Sequence, residues 1–175
     1  MMTQETVQEV IKNIKKALDE VVANLRDKGV GNRKWTHDCL MRLALLGKDN
    51  GYGVCPYPES MRGEWLYDLI WYSEEESEWP KRLKNVVLVL ESEWSTSLGE
   101  IRYDFQKLVQ AKSWLKVLVC QDLNEEMMKE LIADIEAFES KTMSEIYLFA
   151  SYDNAEGMFK YKTYQVGKGL ENVGD

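Results

Sequence analysis

Residues 86–94 read Val-Val-Leu-Val-Leu-Glu-Ser-Glu-Trp, five apolar residues followed by two acids one residue apart. A short, continuous apolar run of this kind reads as a strand buried on both faces, the pattern of a central position in a sheet. Successive strand side chains point to opposite faces. Val87, Val89, Glu91 and Glu93 are therefore expected on one face, and Val86, Leu88 and Leu90 on the other. Two carboxylates placed side by side at the end of an apolar strand repel each other and resist burial. A shared cation or a pair of basic partners would resolve that conflict.

Just upstream, residues 64–72 read Glu-Trp-Leu-Tyr-Asp-Leu-Ile-Trp-Tyr, an aromatic-rich stretch expected to be a strand with Asp68 among apolar neighbours. If this strand pairs with the one at 86–94, Asp68 faces Glu91 and Glu93 across the ladder. Three carboxylates converging on one point suit Mg²⁺ or Mn²⁺, hard ions that prefer oxygen and retain water. Downstream, Lys107 lies in Tyr-Asp-Phe-Gln-Lys-Leu (103–108) on an expected helix, from which it can reach back over the sheet. The plainer alternative is that these acids face solvent or bind Arg and Lys.

The remainder of the chain supplies a frame for that strand. Val7, Val10, Ile11, Ile14, Leu18, Val21, Val22 and Leu25 recur at spacings of three and four, which predicts a long amphipathic helix over 3–28 ended by Gly29. A second helix is expected over about 34–47, then a turn at Asp49–Gly53 and a short strand at 54–57 limited by Pro56 and Pro58. The acidic run Ser73–Trp79 reads as a solvated loop or helix start. Helices at about 99–113 and 123–140 alternate with strands at 115–121, 145–152 and 158–166. The order α-α-β-β-β-α-β-α-β-β predicts an α/β fold with a mixed central sheet flanked by helices. It is expected as a single domain over 1–166 with a mobile tail over 167–175.

Composition narrows the chemistry. There is one histidine, His37, too few for a zinc hydrolase with two or three histidine ligands, and its place in a helix reads as a partly exposed polar residue. No Gly-x-Gly-x-x-Gly or Walker-type loop is present. Cys39, Cys55 and Cys120 are odd in number and lack a Cys-x-x-Cys pair, which fits reduced thiols in a cytoplasmic protein. No apolar run is long enough to cross a bilayer, and the N-terminus has no signal-peptide core. The net charge of −8 argues against a uniformly basic face. Yet residues 1–62 carry ten Lys and Arg against eight acids, so any basic surface is expected to be local.

The pair of strands carrying Leu-Tyr-Asp (66–68) and Leu-Glu-Ser-Glu-Trp (90–94) resembles the PD-(D/E)XK, or restriction endonuclease-like, nuclease superfamily. The resemblance implies an α-β-β-β-α-β core spanning residues 3–121, with an additional helix and C-terminal strands beyond it. It places Asp68 as the motif's first acid and Glu91 as the second. Two departures stand out: no proline precedes Asp68, and Glu93 occupies the position where lysine is expected. Some members carry glutamate there, and others move the lysine to the following helix, where Lys107 is the candidate. The resemblance thus implies Asp68, Glu91, Glu93 and Lys107 as catalytic residues, the three acids as ligands of Mg²⁺ or Mn²⁺, and DNA phosphodiester hydrolysis as the reaction. DNA is the implied partner, with Lys12, Lys15, Lys16, Arg33, Lys34 and Arg42 available to touch backbone phosphate, and a homodimer is compatible with it. The competing expectation is a catalytically degenerate nuclease-like fold serving as a protein-interaction or regulatory module.

Overall fold

The computed structural model describes residues 4–59, 65–76 and 81–172. Among these residues, seven strands form one mixed sheet in sequence order: β1 Gly53–Cys55, β2 Leu69–Glu74, β3 Leu83–Glu93, β4 Leu115–Gln121, β5 Ile146–Asp153, β6 Met158–Gln165 and β7 Gly169–Asn172. Four helices among the described residues cover it: α1 Gln4–Leu25, α2 Asn32–Asp49, α3 Leu98–Gln110 and α4 Glu125–Ala137. β1, β2 and β3 pair antiparallel, β3, β4 and β5 parallel, and β5, β6 and β7 antiparallel. Parallel neighbours require crossovers, which α3 and α4 provide. The segment beyond Gly167, expected as a mobile tail, contributes β7 at the sheet's edge.

Each helix pair buries its apolar stripe against one face of the sheet. Ile11, Ile14 and Leu18 of α1 and Leu43 of α2 are almost wholly buried, in a core shared with Leu88, Leu90, Val117 and Leu148. On the other face, Ile101, Phe105 and Leu108 of α3 and Leu131 and Ile135 of α4 pack on Val89, Leu118 and Phe149. The strands alternate between these two cores, as a sheet covered on both sides must. Among the described residues no helix is long and apolar enough to cross a membrane.

The expected alternation along residues 86–93 needs one correction. Trp71 pairs with Leu88 but Tyr72 pairs with Val86, so Val87 is an extra residue in a β-bulge. Val87 consequently joins Leu88 on the α1/α2 face, while Val86 packs toward α3/α4. Beyond the bulge the period of two resumes. Val89 belongs to the α3/α4 core and Leu90 to the α1/α2 core, which sends Glu91 and Glu93 toward α3.

Close approach of α2 to β2 depends on Gly47. A Cβ there would lie 2.7 Å from Trp71 Nε1 and from Val54 Cγ1. Trp71 is wholly buried beneath the helix, with Tyr52 stacked on its ring at 5.8 Å.

Candidate active site

The C-terminal end of β3 is anchored from the α1/α2 side. Trp94 packs among Trp35, Tyr152 and Phe159, with ring centroids 5.5 to 6.4 Å away, and its Nε1 donates to Ser92 Oγ at 3.0 Å. The Trp94 carbonyl accepts from the Gln121 side-chain amide at the end of β4. With Ser92 and Trp94 tied to that side, Glu91 and Glu93 are fixed on the side facing α3. This is the carboxyl end of the parallel strands, where α/β sheets characteristically open to ligands.

Asp68 lies one residue before β2 and not inside a strand, the position expected for it from the sequence. The ladder nevertheless carries it into place. Leu69 pairs with Leu90, and the next step of that antiparallel register sets Asp68 opposite Glu91. Asp68 Oδ2 accepts the backbone N–H of Ser92 at 2.8 Å, so the acid is locked beside β3.

Glu91 is the least solvated acid of the group, at 1% exposed. Its Oε2 accepts from Lys107 Nζ at 3.2 Å, whereas Oε1 is buried with no hydrogen-bond partner among the described residues. Burial, reinforced by repulsion from Asp68 and only partly offset by Lys107, pushes its carboxyl up to about 8. Lys107 also binds Asp104 Oδ1 at 2.7 Å, one helical turn away on α3. Burial opposes the lysine's charge, but Asp104 and Glu91 together hold its ammonium above the usual range. Glu91 and Lys107 shift in the same direction for a simple reason. The Lys107 ammonium is shared between Glu91 and Asp104, so it is over-satisfied while Glu91 is under-compensated.

Glu93 behaves differently from Glu91. Its Oε1 accepts the Ser95 backbone N–H at 2.6 Å. Burial raises its carboxyl, the Ser95 N–H opposes that rise, and a hydrogen bond and repulsion from Asp104 add to it. The expected trio of acids is therefore divided: Asp68 and Glu91 face each other, and Glu93 turns toward Asp104. Among the described residues, no three metal-ligating side chains converge into a ready-made cage. Lys107 does reach back over the sheet as its helical position implies.

Asp104 was not singled out from the sequence, although its spacing of three from Lys107 puts both on one helix face. Tyr67 was also missed. It packs at the edge of the α3/α4 core, and burial together with the neighbouring Glu91 raises its hydroxyl. A third overlooked residue lies deeper. Lys116 of β4 is wholly buried, bonded to Glu145 Oε2 at 2.6 Å, Tyr147 Oη at 3.1 Å and the Val109 carbonyl at 3.4 Å. A lysine within Leu-Lys-Val-Leu-Val was its signal. With its donors satisfied, Lys116 is a structural tie between β4 and β5.

Five of the six basic residues expected near phosphate divide into two groups, and the sixth, Arg33, is exposed on α2. Lys34 is engaged by Asp38 and Arg42 by Glu20. Lys12, Lys15 and Lys16 instead line a cleft of about 1050 Å³ between α1 and β6, together with Arg26 and Lys162. That cleft lies on the α1 side of the sheet, across from Glu91. His37 is half-exposed on α2 with Nδ1 3.0 Å from Asp38, which matches its reading as a surface polar residue. Comparison with protein-family models, curated proteins and solved structures gives no match for this chain.

Proposed function

We propose that the protein is a metal-dependent nuclease that hydrolyses DNA phosphodiester bonds at the Asp68–Glu91 pair. The observation that carries this reading is Glu91: a buried carboxylate with one oxygen unpartnered, facing a second carboxylate and reached by a lysine. Such a placement costs stability, because the carboxyl must either carry a poorly compensated charge or keep its proton well above the usual carboxylate range. Perturbed acids in such settings concentrate at functional sites. The element order is compatible with the PD-(D/E)XK resemblance: α2, β1, β2, β3, α3 and β4 follow one another, with β4 parallel to β3.

The unpartnered Glu91 Oε1 and the adjacent Asp68 fit a Mg²⁺ or Mn²⁺ ion, because Mg²⁺ typically takes one or two carboxylates and fills its shell with water and substrate phosphate. No three-carboxylate cage is needed for that. Such an ion, when bound, would lower the pKa of a coordinated water and offset charge on the phosphate. Asp68 and Glu91 hold and orient the site. Lys107, placed by Asp104, is the donor for the negative charge that builds on the scissile phosphate. Glu93, whose carboxyl favours the protonated form more than usual, is the group we assign to take the proton lost by the attacking water, through movement from its place beside Asp104. The water oxygen bonds to phosphorus as the bond from phosphorus to the leaving sugar oxygen breaks, and that oxygen is protonated from solvent.

Incubation of the purified protein with labelled DNA in Mg²⁺ or Mn²⁺ tests this. Cleavage is expected in wild type, abolished in Asp68→Ala and Glu91→Ala and reduced about 10²–10³-fold in Lys107→Ala. Cleavage that persists unchanged in both acid variants would refute the assignment. A second reading draws on the Lys107–Glu91 bond, which already supplies one counter-charge: a degenerate nuclease-like module. It predicts neither cleavage nor divalent-ion binding in any variant.

A further inference from the structure

The cleft between α1 and β6 inverts the charge of the protein around it. Its lining holds six of the chain's 22 Lys and Arg but three of its 30 acids. Two of those acids are engaged: Asp19 accepts from Tyr161 Oη at 2.7 Å, and Glu20 from Arg42 Nε at 2.9 Å. By contrast, no ion pair among the described residues engages Lys12, Lys16 or Arg26, and all three are exposed. Positions 12, 16, 19, 23 and 26 follow the three- and four-residue spacing of one helix face. At about 1.5 Å per residue, the cations from Lys12 to Arg26 extend over about 21 Å. Tyr161 Oη also lies 3.2 Å from the Lys15 carbonyl, so its hydroxyl ties β6 to α1 and the cleft is preformed.

We propose that this cleft grips the phosphate backbone of duplex DNA, at a place separate from the Asp68–Glu91 pair. The choice of DNA rests on the nuclease reading above; the cationic cleft does not. Around Glu91 a polyanion finds little hold, because Lys107 is already bound by Glu91 and Asp104, with Asp68, Glu93 and Glu100 nearby. The backbone must be held elsewhere. Cations strung over about 21 Å match a chain of repeated charges rather than a single anion. Duplex DNA presents one charge per about 1.7 Å of axis, whereas an extended acidic peptide presents at most one per about 3.3 Å. The position also suits an anchor. Lys160, at the β6 side of the cleft, stands on the rung that runs through Ser151 and Cys120 to Glu93. Three strand spacings, about 14 Å, separate the ends of that rung. The cleft therefore opens at the same end of the sheet as the acids, on the opposite face. Contact of Lys12, Lys15, Lys16 and Arg26 with four phosphates, at about 0.9 each, gives a log–log salt slope of about −3.6.

The test uses the full chain in EDTA and follows the anisotropy of a short labelled duplex as salt is raised. Wild type is expected to lose about 10²-fold in affinity between about 50 and 200 mM salt, as that slope requires. A triple variant, Lys12→Gln, Lys16→Gln and Arg26→Gln, should bind at least about tenfold more weakly at low salt, with the slope reduced to about −0.9. A second triple variant, Lys84→Gln, Lys112→Gln and Lys129→Gln, removes the same charge from exposed positions outside the cleft and should behave as wild type. Equal weakening of the two variants, an unaltered slope in the first, or no duplex binding by wild type would overturn the inference. Poly-glutamate displacing the duplex as readily as unlabelled DNA of equal charge would also overturn it, by making the occupant an acidic polypeptide. All six side chains are exposed, so melting temperatures should match wild type. Lys16→Gln alone, expected to lower the slope by about 0.9, carries the test if the triple variant is destabilised. Glu91→Ala should bind as wild type does. Binding without cleavage in Mn²⁺ would defeat the nuclease reading and leave the cleft standing; cleavage indifferent to the first triple variant would do the reverse.

Discussion

Replacing Glu91 by Gln should make the metal-free protein more stable at pH 8 and change it little at pH 5. The Glu91 carboxyl is moved from its ordinary 4.5 to about 8, chiefly by burial. The folded protein therefore holds a proton there that the unfolded chain releases between those values, and stability falls as pH rises through that window. At about 1.36 kcal/mol per tenfold change in proton affinity, the full loss is on the order of 4–5 kcal/mol above pH 8 and negligible below pH 4.5. Glutamine keeps the shape and removes the charge, but it weakens the bond to Lys107 and leaves a buried amide to satisfy. Discounting about half for these costs leaves a net gain of about 2 kcal/mol. For a chain of this length that is a rise of roughly 4–8 °C in Tm. Differential scanning calorimetry of wild type and Glu91→Gln in EDTA at pH 5 and pH 8 measures it. Equal destabilisation at both pH values would mean that Glu91 is a contented member of a structural ion pair, and the strain argument would fail.

Other perturbations probe separate parts of the account. Asp104→Asn should weaken the hold on Lys107 while leaving the Asp68–Glu91 pair in place, so cleavage should fall less than in Lys107→Ala; an Asp104→Asn loss equal to that of Glu91→Ala would make Asp104 part of the primary site. Gly47→Ala should cost about 1–3 kcal/mol by forcing a methyl onto Trp71 and Val54, read as a lower denaturation midpoint with an unchanged m-value. Lys116→Met should cost about 3–5 kcal/mol by leaving Glu145 without its buried partner. Joining Glu145→Gln to it should restore part of that loss, and a purely additive double variant would refute the pairing.

The element order was legible because each element carries a strong local period: the stripe from Val7 to Leu25, the alternating and continuous runs of the strands, and the turn residues between them. Glu91 and Glu93 were legible for the same reason, as charges interrupting an apolar strand. The face of Val87 was not, because a β-bulge depends on how β2 and β3 fit together and leaves no mark on one strand read alone. Asp68 reads as a strand residue, since apolar neighbours signal burial and do not show where ladder bonding begins. β7 was missed because Gly169–Asn172 is short and polar, and it exists only through pairing with β6. The division of the acids also lay beyond the sequence. Spacing puts Glu91 and Glu93 on one face, but the Ser95 N–H that engages Glu93 comes from a loop whose path is set by Trp94 packing.

The central claim is that Asp68 and Glu91 together bind a divalent cation. Titrating the metal-free protein with Mn²⁺ and counting free ion by electron paramagnetic resonance measures that directly. One tight site is expected in wild type, lost in Asp68→Ala and in Glu91→Ala and retained in Lys34→Ala, where the lysine pairs with Asp38 and lies on α2. At a hundredfold excess of ion over Kd the same site should add about 2.7 kcal/mol of stability to wild type alone. Mn²⁺ bound equally by wild type and both acid variants, or by none of them, would contradict the account.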